Sequence, residues 1–310
     1  MSACPFSLPH AVRAAARRAD LAIDLDALVT VLALPWLDCT VPTEPEPGRW
    51  PTYARDAFLE PASRLFGLTI RGIHPPEASR GLHDAAEFDQ HFDASYRPLI
   101  LRALEHGQPV LAWQGWHGEH EFSWGLVEAG ADDSAILTGR VFGSSERSEG
   151  AASCVLERPA VQVYVVESVA PATPSLDELW SLTRRHARTA LQDGLRDRFG
   201  VTTGPAAYDA WLDLLRVPTS LAPLCAASAC AHDCAARVLD RISHDNSVCE
   251  ADLARTLRDR CREVAAAMGN LANAERTRML LESEDGRRYT SSMLRSVQAA
   301  GRSMLNSLIG

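Results

Sequence analysis

The placement of strand-like segments is the feature that most restricts how this chain can fold. Short runs rich in valine, isoleucine and other β-forming residues predict strands. These runs cover residues 68–73, 109–114, 122–129, 135–142 and 161–167, and the last (VQVYVVE) has the highest β-branched content. No such run follows residue 170. The pattern therefore predicts an α+β chain whose sheet is confined to the first half.

Beyond residue 170 the sequence predicts helices alone. Residues 171–174 (PATP) form a linker, and Ser175 with Glu178 forms a capping box, because each satisfies a backbone donor at a helix start. Predicted helices cover residues 176–199, 206–216, 222–243, 249–269, 271–283 and 289–308. We therefore expect two domains, residues 1–172 with the sheet and residues 173–310 with helices only.

Helices and loops complete the first half. Apolar residues at helical spacing predict helices over residues 8–20, 24–34, 57–66 and 93–106. Residues 42–51 are predicted to form a loop, because proline fixes φ and lacks a backbone donor. Residues 130–133 (GADD) are predicted to turn one strand back on the next, which makes those strands antiparallel neighbours.

The composition argues against two classes of partner. The formal net charge of −9 repels phosphate backbones, so we expect no nucleic-acid partner. No segment approaches the roughly 20 apolar residues that span a bilayer, and we see no secretory signal at the N-terminus. We therefore expect a cytoplasmic protein with no membrane partner. Its eight cysteines are expected to be reduced thiols and not a disulfide scaffold.

Several short stretches carry a resemblance to a known family. Residues 7–11 (SLPHA) and 23–28 (IDLDAL) resemble the two opening helices of that family, and residues 107–112 (GQPVLA) with 124–133 (WGLVEAGADD) resemble its core hairpin. The family is the papain-like fold of C39-type bacterial peptidases. Residues 123–127 (SWGLV) and 207–211 (AYDAW) are similar to an uncharacterised bacterial branch, related to the butirosin-biosynthesis acyltransferase group.

The resemblance implies a papain-like domain over residues 1–172 and assigns its catalytic positions. The family's cysteine nucleophile corresponds to Ser7, its histidine to Ser123 or Trp124, and its third group to residues 138–140 (TGR). A cysteine at such a position is activated by the helix N-terminus and the histidine, whereas a serine needs a base to remove its proton. Because all three roles depart from the pattern, the resemblance implies that peptidase activity is lost.

Three neighbouring residues are candidate substitutes for the missing groups. Cys4 precedes Ser7 by three positions, His120 precedes the strand expected to carry the histidine, and His10 lies one turn into the first helix. Cys4 or Ser7 paired with His120 would allow acyl transfer or hydrolysis of an amide or thioester. The alternative is that Cys4 lies in a flexible N-terminus and His120 in a solvated loop.

Tryptophans concentrate around the predicted hairpin. Trp113, Gln114, Trp116 and Trp124 are candidate ligand-binding residues, because indole rings lining a cleft bind flat or apolar groups. The alternative is that the same rings fill the core between two elements. The sequence pattern is compatible with both interpretations.

Two clusters carry side chains of the kinds that bind metals. His117 and His120 flank a short acidic loop, and Cys225, Cys230 and Cys234 fall on one predicted helix. Neither cluster has the helical His-Glu-x-x-His or the Cys-x-x-Cys framework that makes a zinc site specific. We expect no metal site and, since nucleotide-binding motifs are also missing from the sequence, no cofactor.

The sequence is compatible with three functional hypotheses. The first is a papain-like protein without peptidase activity that binds a small molecule or peptide in the ancestral cleft. The second is an active acyltransferase or amide or thioester hydrolase that uses Cys4 or Ser7. The third is a protein-interaction module formed by the helical half. Each is compatible with a homo-oligomer.

Overall fold

The structure, a computed structural model, is an α+β protein with a six-stranded antiparallel sheet and a helical C-terminal region. The residues that it describes are 5–37, 39–40, 55–73, 85–121, 123–128, 136–142, 152–192, 202–216, 221–245 and 248–310. Its contacts divide the chain into two units. The described residues of Phe6–Ile23 and Ser63–Thr173 form the sheet unit, and those of Asp24–Ala62 and Pro174–Gly310, with Pro5, form the helical unit.

The strands are β1 (Cys39–Thr40), β2 (Leu68–Gly72), β3 (Val110–Trp113), β4 (Trp124–Glu128), β5 (Leu137–Val141), β6 (Ala152–Leu156), β7 (Gln162–Val169) and β8 (Thr202–Thr203). The sheet unit holds six of them in the order β2-β7-β3-β4-β5-β6, and every neighbouring pair is antiparallel. The five predicted strands are confirmed. β6 was not predicted, because its sequence (ASCVL) mixes small and polar residues. The predicted turn at residues 130–133 lies outside the described residues.

The helices are α1 (Ser7–Arg17), α2 (Leu25–Val31), α3 (Leu34–Leu37), α4 (Arg55–Leu65), α5 (Ala85–His91), α6 (Arg97–Glu105), α7 (Leu176–Leu191), α8 (Ala207–Asp213), α9 (Leu221–Ser243), α10 (Ala251–Leu271), α11 (Ala274–Glu282) and α12 (Glu284–Ile309). A π-helical turn, Phe92–Tyr96, joins α5 to α6, so this helical segment begins earlier than predicted. The predicted capping box is confirmed, since Ser175 Oγ accepts from the Glu178 N–H and the Glu178 carboxylate accepts from the Ser175 N–H.

The sheet carries helices on both faces. One face buries Phe92, Tyr96 and Ile100 from the π turn and α6 against alternate residues of the central strands, and α1 packs on the opposite face against β3 and β4. Trp116 lies flat on the first face above β4 and β5. A Cβ atom built on Gly125 would lie 2.4 Å from the Trp116 ring, and one on Gly139 would lie 2.7 Å from it. Glycine is therefore required below this indole.

The helical unit includes a segment from the first half of the chain. α2 packs against α7 and α9, and its N-terminal carboxylates form ion pairs with α9: Asp26 with Arg237, and Asp24 with Arg241. These contacts explain why Asp24–Ala62 groups with the C-terminal helices, whereas the predicted domains were residues 1–172 and 173–310. The other division, between Thr173 and Pro174, lies one residue from the predicted boundary.

Candidate functional site

The candidate site lies in the sheet unit, where α1 begins. Ser7 is the first residue of α1 and is only 5% exposed. Its Oγ accepts a hydrogen bond of 2.9 Å from the backbone N–H of Trp124, the first residue of β4. Two positions that are 117 residues apart in the sequence are therefore in direct contact.

The resemblance assigns a cysteine to position 7 and a histidine to position 123 or 124. Among the described residues, the Trp124 N–H is the hydrogen-bond partner of Ser7, and no histidine nitrogen bonds its hydroxyl. A general base has to reach the hydroxyl at roughly 2.6–3.2 Å to remove its proton. Ser7 instead acts as an acceptor, and a backbone amide cannot take a proton from it. The contact holds α1 against β4 within the sheet unit.

The position of the third group carries a positive charge. Residues 138–140 lie on β5, where Arg140 Nε donates to Glu128 Oε1 at 3.0 Å. Glu128 also forms an ion pair with Arg18, the residue after α1. Both arginines are partly exposed, so the network joins α1, β4 and β5 near solvent. No carboxylate or amide lies at residues 138–140 to orient a histidine.

The candidate substitutes occupy separate places. His120 ends a short 3₁₀ turn, Gly118–His120, and is half-buried. His10 stacks on Phe142 with ring centroids 6.5 Å apart. Cys4 lies outside the described residues, so the Cys4–His120 pair stays a prediction.

The four candidate ligand-binding residues divide between the two faces of the sheet. Trp113 and Trp124 are paired across β3 and β4, which places both rings on the α1 face. Trp116 lies on the opposite face as part of the core, with its Nε1 3.4 Å from the Ala112 carbonyl oxygen. Gln114 lies between the two groups and has a left-handed φ of 66°, and Gly115 follows with a φ of 89°.

The two indoles on the α1 face have unused donors. Trp113 and Trp124 are 7% and 0% exposed, and within the described part of the chain neither Nε1 has a hydrogen-bond partner. A buried N–H without an acceptor costs roughly 1–3 kcal/mol, so such groups are rare in native proteins. The α1 face therefore carries two N–H donors that a carbonyl or carboxylate oxygen would satisfy.

Side chains around the histidine cluster contact the two residues that follow β6. His117 Nδ1 lies 2.6 Å from Glu157 Oε1, and Glu121 pairs with Arg158 at 3.3 Å. Across the residues that are described, no group of three histidine, cysteine or acidic side chains is arranged to hold a metal ion.

The three cysteines of α9 differ in burial, and the surroundings of one of them disfavour its thiolate form. Cys225 and Cys234 are buried, and Cys230 is half-buried one turn before Cys234. A hydrogen bond with Cys230, together with burial and the nearby Asp26 charge, raises the pKa of the Cys234 thiol well above its usual range. Thiolates are the form that binds metals and attacks substrates, so this environment disfavours both activities.

Two polar features of the helical unit were not predicted from the sequence. Arg237 donates from Nε to Asp26 Oδ2 at 2.6 Å and from Nη2 to Asp26 Oδ1 at 2.8 Å, across 211 positions. His186 is 3% exposed and its Nδ1 lies 2.6 Å from the Val31 carbonyl oxygen. Burial lowers the pKa of His186. A histidine on the apolar side of a helix is the one signal that the sequence offers for the second feature.

Comparisons with known proteins assign no family. No protein-family model matches the chain, and no curated protein matches it. Among the described residues, no helix is long and apolar enough to cross a membrane. The function of this chain therefore has to be inferred from the geometry of the site.

Proposed function

We propose that this chain is a papain-like protein that lacks peptidase activity and binds a small molecule or peptide in the ancestral cleft of its sheet unit. The observation that carries the proposal is the 2.9 Å hydrogen bond between Ser7 Oγ and the Trp124 N–H. The resemblance assigns a cysteine and a histidine to these positions, and their contact supports the papain-like arrangement. Their replacement by serine and tryptophan supports the loss of its chemistry.

The ligand class follows from the donors on the α1 face. The indole N–H groups of Trp113 and Trp124 are buried and lack an acceptor among the described residues. A ligand that carries carbonyl or carboxylate oxygens would satisfy them, and peptide groups offer such oxygens at regular spacing. Since both rings are buried, ligand entry requires the side chains around Trp113 to move. We expect slow association for this reason.

Binding is tested by titrating the full-length protein with a panel of short N-acetylated peptide amides, followed by intrinsic tryptophan fluorescence and thermal shift. Trp113→Phe removes one donor and keeps an aromatic ring. We expect it to weaken the best-binding peptide about fivefold or more, because a ligand oxygen then loses its partner. The matched control is Trp36→Phe, since Trp36 Nε1 is also buried without a described acceptor but belongs to the helical unit.

Chemistry is tested on the same samples by mass spectrometry of peptides and protein. The proposal expects intact peptides, no acylated protein and unchanged binding in a Ser7→Ala variant. Cleavage or acylation that disappears in Ser7→Ala or Cys4→Ser would overturn it and favour the acyltransferase or hydrolase hypothesis. Equal losses of binding in Trp113→Phe and Trp36→Phe would overturn the assignment of the cleft.

A further inference from the structure

An open groove of about 710 Å³ runs along α12 in the helical unit. Most of its lining comes from one stripe of α12 that starts at Glu284, and Leu215 forms part of the other side. The stripe carries three arginines and three serines. Its members recur every three or four residues, which is the spacing of side chains on one face of a helix. The groove is therefore polar, rigid along its floor and open to solvent.

Two of the three arginines keep their charge unneutralised. Arg288 pairs with Glu284, whereas Arg287 donates from Nη1 to the Leu281 carbonyl oxygen at 2.7 Å. A carbonyl oxygen fixes a guanidinium without cancelling its charge. Arg287 and Arg295 have no carboxylate partner among the described residues, although acidic residues outnumber basic ones in the chain, 40 to 31. This stripe is a positive surface on a net-negative protein.

The Cα spacing of the two arginines is close to that of two side chains on an extended peptide. Arg287 and Arg295 are eight positions apart, which at 1.5 Å per residue places their Cα atoms about 12 Å apart along the helix. In an extended peptide, side chains at positions i and i+4 point to the same side and lie about 13 Å apart. The hydroxyls of Ser291 and Ser292 line the groove between the two arginines and offer donors and acceptors to a peptide backbone.

We propose that this groove binds an extended acidic peptide segment of a partner protein, with carboxylates at positions i and i+4 facing Arg287 and Arg295. A peptide with two carboxylates offers one partner to each of the two arginines, and inorganic phosphate, which has one charged centre, is the competing ligand in the test. The net charge of −9 opposes a nucleic-acid strand, which carries a charge at every nucleotide, more strongly than a peptide with two carboxylates. The proposed function concerns a cleft in the sheet unit. The groove on α12 lies in the helical unit, so this proposal goes beyond that function.

The test uses fluorescence anisotropy with the full-length protein and a fluorescein-labelled peptide, Gly-Ser-Glu-Ala-Ser-Ala-Glu-Ser-Gly. One companion peptide replaces both glutamates by glutamine, and another places them next to each other. We expect the first peptide to bind best and its affinity to fall as NaCl rises from about 0.05 to about 0.5 M, because exposed ion pairs are screened. Arg295→Gln and Arg287→Gln should each weaken binding about two- to fivefold.

Arg278→Gln is the matched control, because it removes the same charge from an exposed arginine that pairs with Glu282 outside the groove. It should leave the affinity unchanged. Since Arg295 is exposed, its variant should keep the circular dichroism and melting temperature of the native chain. Equal binding of the glutamine peptide, an equal effect of Arg278→Gln, or tighter binding of inorganic phosphate or of a labelled oligonucleotide would each overturn the proposal, as would no saturable binding at millimolar peptide.

Discussion

Helices α1 and α2 are neighbours in the sequence but belong to different units, and a different kind of contact holds each helix in its unit. α1 is held to β4 by a buried hydrogen bond between neutral groups, Ser7 Oγ and the Trp124 N–H. α2 is held to α9 by a two-fold charged contact between Asp26 and Arg237. Both contacts bridge more than a hundred residues, so each one fixes the topology of its unit.

The two long-range contacts are stabilised in different ways. The contact of Ser7 does not titrate and is shielded from salt, so its strength depends on how closely the sheet and α1 pack. The contact of Asp26 depends on charge. The hydrogen bond from Arg237 lowers the pKa of Asp26 and outweighs the opposing effect of burial. Substitutions that reduce packing should therefore destabilise the sheet unit. Removal of a charge, added salt or a lower pH should destabilise the helical unit.

The largest effect is expected when packing in the sheet unit is removed. Trp116→Ala deletes a ring that is 2% exposed and lies over Gly125 and Gly139, leaving a cavity that glycine cannot fill. We expect the free energy of opening of β4 to fall by about 3–5 kcal/mol. Amide hydrogen exchange with peptide-level resolution measures this value and reports α9 in the same experiment, where we expect a much smaller change.

Trp116→Phe is the control for this variant. It keeps an aromatic ring above the two glycines and should retain much of the lost stability. A loss below about 1 kcal/mol in Trp116→Ala would contradict the view that packing holds the sheet unit. Equal destabilisation of α9 would contradict the separation of the two units.

A smaller effect is expected when the charged contact of the helical unit is cut. Arg237→Gln removes the partner of Asp26, whose side chain is 27% exposed. We expect the opening free energy of α2 and α9 to fall by about 1–2 kcal/mol, because a partly buried carboxylate loses charged hydrogen bonds. The difference from the native chain should shrink at about 0.5 M NaCl.

Arg278→Gln is the control for Arg237→Gln, since it breaks an ion pair whose side chains are 55% and 60% exposed. Exposed pairs of this kind contribute at most about 0.5 kcal/mol. If the two variants have equal effects on amide exchange, Asp26 and Arg237 do not hold α2 in place.

Local sequence rules predicted most elements of this fold, and long-range contacts explain the exceptions. The capping box at Ser175 and the β-branched strand β7 depend on neighbouring residues, so the sequence was sufficient. β6 was missed because pairing with β5 supplies its stability and its own residues have weak strand propensity. The grouping of α2 with α9 depends on residues that lie 211 positions apart, which no local pattern records.

The candidate site was predicted in part for the same reason. The resemblance named Ser7 and, for the histidine, either Ser123 or Trp124, and the structure brings Ser7 and Trp124 together. It gave no reason to expect that Trp116 and Trp124 would lie on opposite faces, because that depends on the turn at Gln114 and Gly115. The use of Ser7 as a hydrogen-bond acceptor could not be predicted either, since it requires the position of a backbone N–H on β4.

A pH-dependent effect is expected from His186 in the helical unit. Burial lowers the pKa of His186 below its ordinary value of 6.5, so the folded chain keeps this ring neutral where the unfolded chain takes up a proton. Stability is therefore lost as the pH falls below 6.5, by at most about 1.4 kcal/mol per pH unit for one proton. Asp26, with its lowered pKa, contributes a similar loss only near and below 3.8.

The two contributions are separated by measuring amide exchange of α7 between about pH 7 and pH 5, corrected for the intrinsic rates. His186→Gln should flatten the pH dependence in this range, because its amide can still donate to the Val31 carbonyl but does not titrate. His106→Gln changes an exposed histidine of the sheet unit and should leave the dependence as it is. An unchanged slope in His186→Gln would assign the proton uptake to another group.

The smallest effect on stability is expected from Ser7→Cys, which also tests the proposed absence of a reactive nucleophile. The variant restores the nucleophile of the resembled family at the start of α1, where the helix N-terminus alone favours a thiolate. Yet position 7 is 5% exposed, faces the Trp124 N–H and has no histidine partner among the described residues. In a Cys4→Ser background, we expect iodoacetamide to label the new thiol more slowly than the exposed Cys249, as measured by peptide mass spectrometry. The opening free energy of β4 should change by less than about 1 kcal/mol, because sulfur is a weaker acceptor of similar shape. Labelling faster than Cys249 would mean that the site still activates a nucleophile. The contact between position 7 and the Trp124 N–H would then belong to a reactive centre and not only hold α1 in place.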